Sequence, residues 1–264
     1  MEIRKLNPTT PGCRHQIILT KSLLNKTNFL GKTLTKYHQR KYGRGSDLGH
    51  ITVWHKGGGV KKLYRLINFG NFFSKLLVLG NFYDPYRSAF ISLTFNFIKK
   101  KFDFLTMTEY VYPGSILLFN FEYSFLDLKL GYRTLIKNIP AGSFIHGLSI
   151  NLFSKTQYIR SAGTSGQIIQ KANDFFKIRL ASGNIIVVSD LSVATIGINS
   201  NTKHNLICIG KAGKNRLKGK RSKVRGVAMN PVDHPHGGRT NGGKPCVTPW
   251  GIPTRGKPTV KKKN

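Results

Sequence analysis

Two histidines and an aspartate stand almost side by side near the end of the sequence, as Asp233-His234-Pro235-His236. A carboxylate beside an imidazole can orient a general base, and two imidazoles can bind a metal ion. The residues are nearly adjacent, however, and no serine or cysteine nucleophile motif accompanies them. Imidazoles also stack on bases and donate to phosphates, and the glycines that follow allow close backbone approach. We therefore expect an RNA-contacting loop in preference to a catalytic or metal site.

Two glycine-rich stretches combine main-chain amides with cations. The first is Gly57-Gly58-Gly59, with His55-Lys56 before it and Lys61-Lys62 after it, and the second is Gly210-Lys211-Ala212-Gly213-Lys214. Neither has the GxGxxG or GxxxxGK[ST] spacing of a nucleotide-binding loop. A flexible basic turn that contacts an RNA backbone needs no such spacing, and this is the role that we expect for both.

Two shorter stretches each allow two interpretations. In Arg160-Ser161-Ala162-Gly163, the arginine could place its guanidinium against a phosphate or a guanine, or it could be a solvated side chain on a barrel turn. In residues 37–42, aromatic and basic side chains alternate. They could form a base-stacking strip or a surface helix whose long side chains cover apolar surface.

The sequence is strongly basic: its 264 residues include 43 lysines and arginines against 10 aspartates and glutamates, a net charge of +33. Residues 1–65 carry 14 basic and 2 acidic side chains, residues 66–210 carry 14 and 7, and residues 211–264 carry 15 and 1. Apolar residues concentrate between Leu63 and Ile209, which indicates a compact body with two cationic extensions. A protein this cationic repels itself unless a polyanion neutralises it, so we expect a nucleic-acid partner.

Several classes of protein are excluded by what the sequence lacks. No apolar run is long enough to cross a membrane, and the N-terminus has the features of neither a secretory signal nor a transit peptide. The three cysteines, Cys13, Cys208 and Cys246, lie far apart without a CxxC pair. We therefore expect no membrane partner, no disulfide framework and no zinc finger, in a reducing compartment.

Strand patterns dominate the body. Alternation over residues 91–97 predicts a half-buried strand, which follows an apolar strand over residues 75–79 and a turn at Asp84-Pro85. Residues 176–180 and 185–188 predict a hairpin around a turn at residues 181–184. No long, capped helical stripe occurs. Short strands with frequent glycine and proline turns favour small barrels or a sandwich, and the length of the body favours two barrels.

The tail from Lys211 to Asn264 has a different composition. It holds 9 of the 28 glycines and 6 of the 11 prolines and shows little apolar periodicity. Such a segment cannot bury enough apolar surface to offset its chain entropy. We expect it to be disordered or to be ordered by a partner.

Residues 224–238, VRGVAMNPVDHPHGG, closely resemble the signature of the bacterial-type large-subunit ribosomal protein L2 family. Shorter blocks that are similar to the family follow in the same order along the chain and span nearly all of it. They are residues 8–12, 55–59 with 64–65, 83–85 with 87–89, 138–140 with 142, 160–163, 210–213 and 247–251.

The resemblance implies a mainly β protein with four parts. These are a basic N-terminal extension (residues 1–62), an oligonucleotide-binding (OB)-like barrel (63–134), an SH3-like barrel (135–210) and an extended rRNA-binding tail (211–264). It also implies a structural, non-enzymatic constituent of the large ribosomal subunit. Such a protein helps to assemble and organise the region near the peptidyl-transferase centre and supports subunit association. Peptide-bond chemistry there belongs to RNA, so His234 is interpreted as organising rRNA.

The matching blocks and the basic turns together give a set of residues expected to contact rRNA. No cofactor or metal is expected, apart from magnesium ions held through the bound rRNA. The set comprises His55, Lys56, Gly57, Gly58, Lys61, Lys62, Arg65, Arg87, Arg160, Ser161, Gly163, Lys211, Lys214, Arg216, Lys218, Arg221, Arg225, Asn230, Asp233, His234, His236, Arg239 and Trp250.

The sequence departs from the family pattern at two places. Arg239-Thr240 follows Gly238 directly, where the family usually continues with Gly-Glu-Gly-Arg, so the loop is shorter. Residues 96–133 match poorly and are rich in Phe, Leu and Tyr. We expect the phenylalanine-rich residues 97–125 to form core and to face a neighbouring ribosomal protein. The other expected partners are large-subunit rRNA and, across the interface, the small subunit.

Composition also bears on the compartment. Phe, Ile, Asn and Lys are frequent and Ala is scarce, which is typical of an AT-rich genome. Residues 240–243 and 253–257 look closer to mitochondrial and proteobacterial members than to plastid ones. We therefore expect an organelle-encoded protein of the mitochondrial matrix ribosome, with a plastid or a bacterial cytoplasm as the next alternatives.

Two other functions compete with the ribosomal one. An RNA- or DNA-processing enzyme would use Asp233 and His234 with a metal, but Asp233 is the only acidic residue of the tail. A general DNA-compaction protein would bind duplex DNA as well as rRNA, and it would not need the individual sequence around His234.

Overall fold

The computed structural model describes residues 2–25, 30–37, 43–45, 48–69, 73–120, 128–152, 154–172, 175–239 and 243–256. These residues are mainly β, which confirms the predicted fold class, and they are consistent with two barrel-like domains. Contacts divide the chain into two units. The barrel unit comprises residues 1–39 and 61–212, and the tail unit comprises residues 40–60 and 213–264.

Ten strands of the barrel unit form one sheet in the order β13-β12-β11-β10-β14-β9-β8-β5-β6-β7, and β1-β2 and β3-β4 form separate antiparallel pairs. Neighbours in the large sheet are antiparallel except for β8 and β9, which are parallel. The strands are β1 (Ile3–Lys5), β2 (Ile17–Leu19), β3 (Thr35–Tyr37), β4 (Leu63–Arg65), β5 (Ser74–Phe82), β6 (Ile91–Asn96), β7 (Lys101–Thr106), β8 (Ile116–Phe119), β9 (Arg133–Leu135), β10 (Phe144–Ser149), β11 (Gly166–Lys171), β12 (Phe175–Arg179), β13 (Ile185–Ser189) and β14 (Val193–Ile196).

Strands β5 to β8 enclose two apolar clusters in the first half of the barrel unit. One is built around Leu76 and Leu117, and the other around Ile91 and Phe104. The predicted strand before Asp84 is confirmed as part of β5, and so is the turn, in which the Asp84 carboxylate accepts a hydrogen bond from the Tyr86 amide.

The prediction that β6 is half-buried was wrong, because both faces of this strand are buried. The alternating polar side chains find partners inside the protein. The Ser92 hydroxyl donates to Asn81 Oδ1 over 2.6 Å, and the Thr94 hydroxyl donates to the Asp103 carbonyl over 3.1 Å. The alternating polar residues of β6 are therefore buried and hydrogen-bonded, and they do not form a solvated face.

Strands β10 to β14 enclose the second half, whose core comprises Ile136, Ile139, Ile145, Leu148, Ile168, Phe176, Ile178, Val188 and Ala194. The predicted hairpin is confirmed: β12 and β13 are antiparallel, with Arg179 opposite Ile185. The turn closes through a hydrogen bond from the Leu180 amide to the Asn184 carbonyl, and Gly183 takes the positive φ that it requires.

Buried polar side chains join the two halves. The imidazole of His146 on β10 is almost completely buried, and its Nε2 lies 2.8 Å from the Thr108 hydroxyl of the first half. Burial, with a further contribution from the charge of Arg133, lowers the pKa of His146 to about 3. The imidazole is therefore neutral in the folded protein at physiological pH.

Within the tail unit, the main chain of residues 217–221 pairs with that of residues 55–60, a pairing that the sequence pattern did not indicate. The amides of Gly57 and Val60 donate to the carbonyls of Gly219 and Leu217, and the Arg221 amide donates to the His55 carbonyl. The short helix α1 (Ala212–Leu217) precedes this pairing. Among the described residues no helix has the length and apolar character required to cross a bilayer.

Removal of residues 213–264 is expected to leave the barrel unit folded, because its apolar clusters are built from residues that precede Gly197. The shortened chain should keep the far-UV circular dichroism signal of β-structure and a cooperative urea transition. The full chain in the same buffer is the control, and loss of the β signal in the shortened chain would contradict this prediction.

Acid is expected to destabilise the protein through His146. The unfolded chain binds a proton on this imidazole near pH 6.5, whereas the folded chain does so only near pH 3, so the free energy of unfolding falls as the pH drops through this window. Between pH 7 and pH 5 the loss from this group should be about 2 kcal/mol. Urea denaturation of the wild type and of His146→Gln checks it, since the variant should lose correspondingly less. Equal losses would contradict the prediction.

Candidate nucleic-acid interface

Most of the residues predicted to contact RNA fall into three groups. The first, in the barrel unit, comprises Arg65, Arg87, Arg160, Ser161 and Gly163. The second, in the tail unit, comprises His55, Lys56, Gly57, Gly58, Arg216 and Arg221. The third is a compact turn within residues 225–239 that contains Arg225, Asn230, Asp233, His234, His236 and Arg239. Outside these groups, Lys61, Lys62 and Lys211 belong to the barrel unit, and Lys214, Lys218 and Trp250 belong to the tail unit.

A buried asparagine fixes the main chain beneath Arg160. The Asn199 side-chain amide donates to the carbonyls of Arg160 and Ser161, over 2.7 and 3.0 Å. Asn199 itself is completely buried, whereas Arg160 and Ser161 are exposed. The loop therefore presents a solvated cation on a main chain that is already ordered, which lowers the entropy cost of binding an anion.

Gly163 closes this loop where no other residue fits. Its φ is +65°, and a Cβ on it would lie 2.8 Å from the Cα of Thr202. Its amide donates to the Ser200 carbonyl over 3.0 Å, and the preceding Ala162 amide donates to the Ser88 hydroxyl over 3.1 Å. The predicted site residue Gly163 thus acts on the shape of the loop.

A cleft of about 580 Å³ in the barrel unit is lined by Arg87, Arg160 and Lys155 together with aromatic side chains. The rings of Tyr64 and Tyr86 meet edge to face there, with their centroids 5.5 Å apart. Cations beside aromatic faces are the combination that contacts both the phosphates and the bases of a single strand.

Two of the predicted cations are directed toward a carboxylate inside the protein. Arg87 donates to the fully buried Asp84 over 2.6 Å and to the Tyr64 hydroxyl over 3.0 Å. Arg65 lies 3.9 Å from the same carboxylate. Their side chains remain about one-fifth exposed, so each arginine pairs inward and is still partly open to solvent.

The third group is shaped by the packing of His234, which is buried. A Cβ on Gly226 would lie 2.7 Å from the His234 ring, and a Cβ on Gly237 would overlap the Asn230 carbonyl. His234 Nδ1 accepts a hydrogen bond from the His236 amide over 3.0 Å. The side chain is therefore part of the turn, and only neighbouring groups such as the exposed Asp233 face solvent.

This arrangement does not support the catalytic interpretation of residues 233–236. One imidazole nitrogen of His234 is already used by the main chain, and His236 Nε2 lies 2.9 Å from the Pro245 carbonyl. Within the part of the chain that the structure describes, no group of three or more His, Cys, Asp or Glu side chains could hold a metal ion. The described geometry of residues 225–239 is that of a turn with a fixed shape, held by the packing of His234.

Some predictions fall partly outside the described residues. Of the strip at residues 37–42, only Tyr37 is described; it ends β3 and is exposed, which does not match a surface helix. In the phenylalanine-rich stretch, Phe104 and Phe119 are core and Phe97 is exposed, while residues 121–127 lie outside. Residues 240–242 and 257–264 also lie outside, so the shortened loop is described only as far as Arg239.

Two residues of these surfaces, Asn199 and Trp54, were not predicted from the sequence. Asn199 carries no signal in the sequence, because its role depends on carbonyls almost forty positions away. Trp54, which lines the tail-unit cleft, directly precedes the basic glycine-rich turn. A large aromatic residue beside a cationic turn is a signal that could have found it.

Comparison with known proteins gives matches along the whole chain. Residues 31–118 match the family described as "Ribosomal Proteins L2, RNA binding N-terminal domain", and residues 129–251 match "Ribosomal Proteins L2, C-terminal domain". The large ribosomal subunit protein uL2m of Reclinomonas americana is 40% identical over 269 residues, which cover all of this chain and 95% of that protein. The uL2 proteins of Rickettsia massiliae and Rickettsia felis are 40% identical over 268 residues, with 96% of each covered.

Asp84 and Arg160 are expected to respond differently to truncation. Asp84→Ala leaves two guanidinium groups without their shared carboxylate and should lower the free energy of unfolding by about 3 kcal/mol. Arg160→Ala removes a solvated side chain and should change it by less than about 0.5 kcal/mol. Urea denaturation of both variants at pH 7 measures the difference. A similar, small loss in both would show that the inward pairing stabilises nothing.

Proposed function

Since the chain belongs to the ribosomal protein L2 family, whose members are structural, rRNA-binding proteins of the large ribosomal subunit and not enzymes, we propose that rRNA contacts it at the three groups described above. The observation that carries this proposal is the loop at Arg160. An exposed guanidinium stands there on a main chain that Asn199 and Gly163 hold in place, and among the described residues no carboxylate forms an ion pair with it.

The distribution of ion pairs supports an external polyanion. Among the described residues, both salt bridges end on Asp84, although the whole sequence carries 43 basic side chains. Phosphate groups of rRNA would neutralise exposed cations such as Arg160 and release condensed counterions. We propose the 23 residues predicted from the sequence as the contact set, with Arg65 and Arg87 acting partly through Asp84 and Gly163 through the shape of its loop.

The turn at residues 225–239 is proposed to organise rRNA near the peptidyl-transferase centre. Its signature carries the family resemblance, and its buried His234 gives it a fixed shape that RNA can pack against. In this proposal His234 acts as a support for the surface, and the exposed neighbours Asp233 and Arg225 face the RNA. The family resemblance also supports a role in subunit association.

Partners beyond rRNA are proposed from exposed apolar side chains. Phe97 and Ile98 at the turn between β6 and β7 are 44% and 64% exposed, which fits coverage by a neighbouring ribosomal protein within residues 97–125. The small subunit is the other proposed partner, across the subunit interface. The proposed domains remain the extension (1–62), the OB-like barrel (63–134), the SH3-like barrel (135–210) and the tail (211–264).

A mitochondrial ribosome is the proposed location. The composition typical of an AT-rich genome and the similarity to the uL2m protein of Reclinomonas americana support it. The Rickettsia proteins are equally similar, so a bacterial ribosome is the alternative. Fractionation of the source cells, followed by detection of the chain in purified mitochondria or outside them, separates the two.

Sedimentation of the tagged chain from a native lysate tests the proposed function. Migration with the large subunit across a magnesium-containing sucrose gradient, retained after a moderate-salt wash, is the expected result. Recovery at the top of the gradient alone would overturn the proposal. Equal affinity of the purified chain for duplex DNA and for large-subunit rRNA would instead favour a general DNA-compaction protein.

Arg160→Ala should reduce the salt dependence of rRNA binding. Loss of one phosphate contact lowers the slope of log affinity against log salt by about 0.7–0.9. Lys137→Ala is the matched control, because Lys137 is an exposed cation of the barrel unit outside the proposed contact set. Filter binding of transcribed large-subunit rRNA between about 50 and 200 mM salt measures both slopes. An unchanged slope for Arg160→Ala would remove Arg160 from the contact set.

A further inference from the structure

Both tryptophans of the chain lie together in the tail unit. The sequence contains two, Trp54 and Trp250, and their rings meet edge to face with centroids 6.5 Å apart and planes at 83°. Trp54 is 49% exposed and Trp250 is 70% exposed. Tryptophan is enriched at binding interfaces, and two exposed tryptophan rings in contact form a larger apolar patch than a single exposed ring does.

Trp54 lines a cleft of about 490 Å³ in the tail unit. Apolar side chains of Val53, Val224 and Met229 contribute to its surface, and the cations Arg216 and Arg221 line it as well. This volume falls within the range of about 300–1,000 Å³ that is typical of small-molecule sites. Among the described residues that line the cleft there is no acidic side chain, and neither guanidinium has a hydrogen-bond or ion-pair partner.

The glycine turn beside Trp54 leaves open space at one position. Gly57 and Gly58 line the cleft with φ values of +144° and +65°, and among the described residues no atom lies within 4 Å of the position that a Cβ on Gly58 would take. The Gly57 amide is tied to the Gly219 carbonyl, and the Arg221 amide is tied to the His55 carbonyl. The main chain that carries the glycine turn and Arg221 is therefore fixed beside Trp54.

We propose that this cleft receives one unpaired nucleotide of rRNA, with its base stacked on Trp54 and its phosphate at Arg216 and Arg221. The proposal rests on the proposed function. It specifies that the tail-unit group of contact residues, which includes Arg216 and Arg221, binds single-stranded RNA. A base in a regular duplex is stacked on both sides and cannot enter a cleft, whereas a base from a loop or a bulge can. Every base offers a face for stacking, so the site is tolerant of sequence.

Charge and shape favour RNA over a protein side chain as the occupant. An aromatic or acidic side chain would satisfy either the ring or the cations, whereas a nucleotide supplies a flat ring and a phosphate in one residue. Trp54 in the lining of the cleft matches the base, and Arg216 and Arg221 match the phosphate.

Intrinsic tryptophan fluorescence reports on the cleft, because Trp54 lines it and the ring of Trp250 contacts that of Trp54. In the full-length Trp250→Phe variant, Trp54 is the only emitter. A single-stranded octamer of riboadenylate should quench its emission. An abasic octamer with the same number of phosphates and a duplex RNA of equal length should not. Quenching by all three to the same extent would overturn the proposal, and so would tighter binding of free AMP than of the octamer.

Trp54→Ala should weaken binding of the single-stranded octamer by roughly 5- to 150-fold, which is the effect of losing one stacked base. Trp54→Phe keeps a stacking ring and should restore most of the affinity for the single strand. Phe175→Ala removes an exposed ring from the barrel unit and is the matched control, with no expected effect. Equal affinities for wild type and Trp54→Ala would overturn the proposal.

The outcomes separate this inference from the proposed function. A chain that sediments with the large subunit but shows no dependence on Trp54 would disprove the nucleotide site alone. A chain that does not sediment with ribosomes would disprove the proposed function. A photocrosslinking amino acid in place of Ser222, which lines the cleft, identifies the occupant in purified large subunits. A crosslink to rRNA supports the proposal, and a crosslink to protein alone overturns it.

Discussion

The hydrogen bonds made by one buried segment, residues 199–201, determine where the surface of the barrel unit lies. The amide of Asn199 holds the carbonyls of Arg160 and Ser161, and the amide of Asn201 holds the Ser88 carbonyl over 2.7 Å. These positions are far apart in the chain, so two small amide groups bring together loops from both halves of the sheet. Buried amides are suited to this task because each pairs with main chain and adds no charge.

The side-chain amides of Asn199 and Asn201 are uncharged, and this matters in a chain with a net charge of +33. Salt bridges could order only a few of its cations, and among the described residues those that form converge on Asp84. The loop at Arg160 is ordered instead by the Asn199 amide and by the close packing of Gly163, and the turn at residues 57–60 is ordered by main-chain pairing. The exposed Arg160 side chain is therefore carried on a loop that is already ordered.

Local patterns in the sequence predicted the parts of the fold that depend on neighbours in the chain. The β12–β13 hairpin and the Asp84 turn follow from alternation and turn residues, and the family resemblance follows from a motif within fifteen positions. The main-chain pairing of residues 55–60 with residues 217–221 could not be predicted, because three isolated hydrogen bonds leave no periodicity in the sequence. The burial of Ser92 and Thr94 was not predicted, because their hydrogen-bond partners, Asn81 and Asp103, are about ten positions away and are brought close only by the fold. The site residues stay predictions, and the structure adds Trp54 and Asn199 to them.

The packing of His234 against Gly226 has a consequence for how this sequence can change over evolutionary time. A side chain at position 226 meets the imidazole ring, and a side chain at position 237 meets the Asn230 carbonyl, so single substitutions at these positions encounter a steric barrier. A smaller residue at position 234 would in turn leave a void beneath the turn. Each of these glycines therefore fits the shape of another residue of the motif, and replacing either one would require a simultaneous change at its neighbour. Such a turn can persist even while the RNA and the proteins around it diverge.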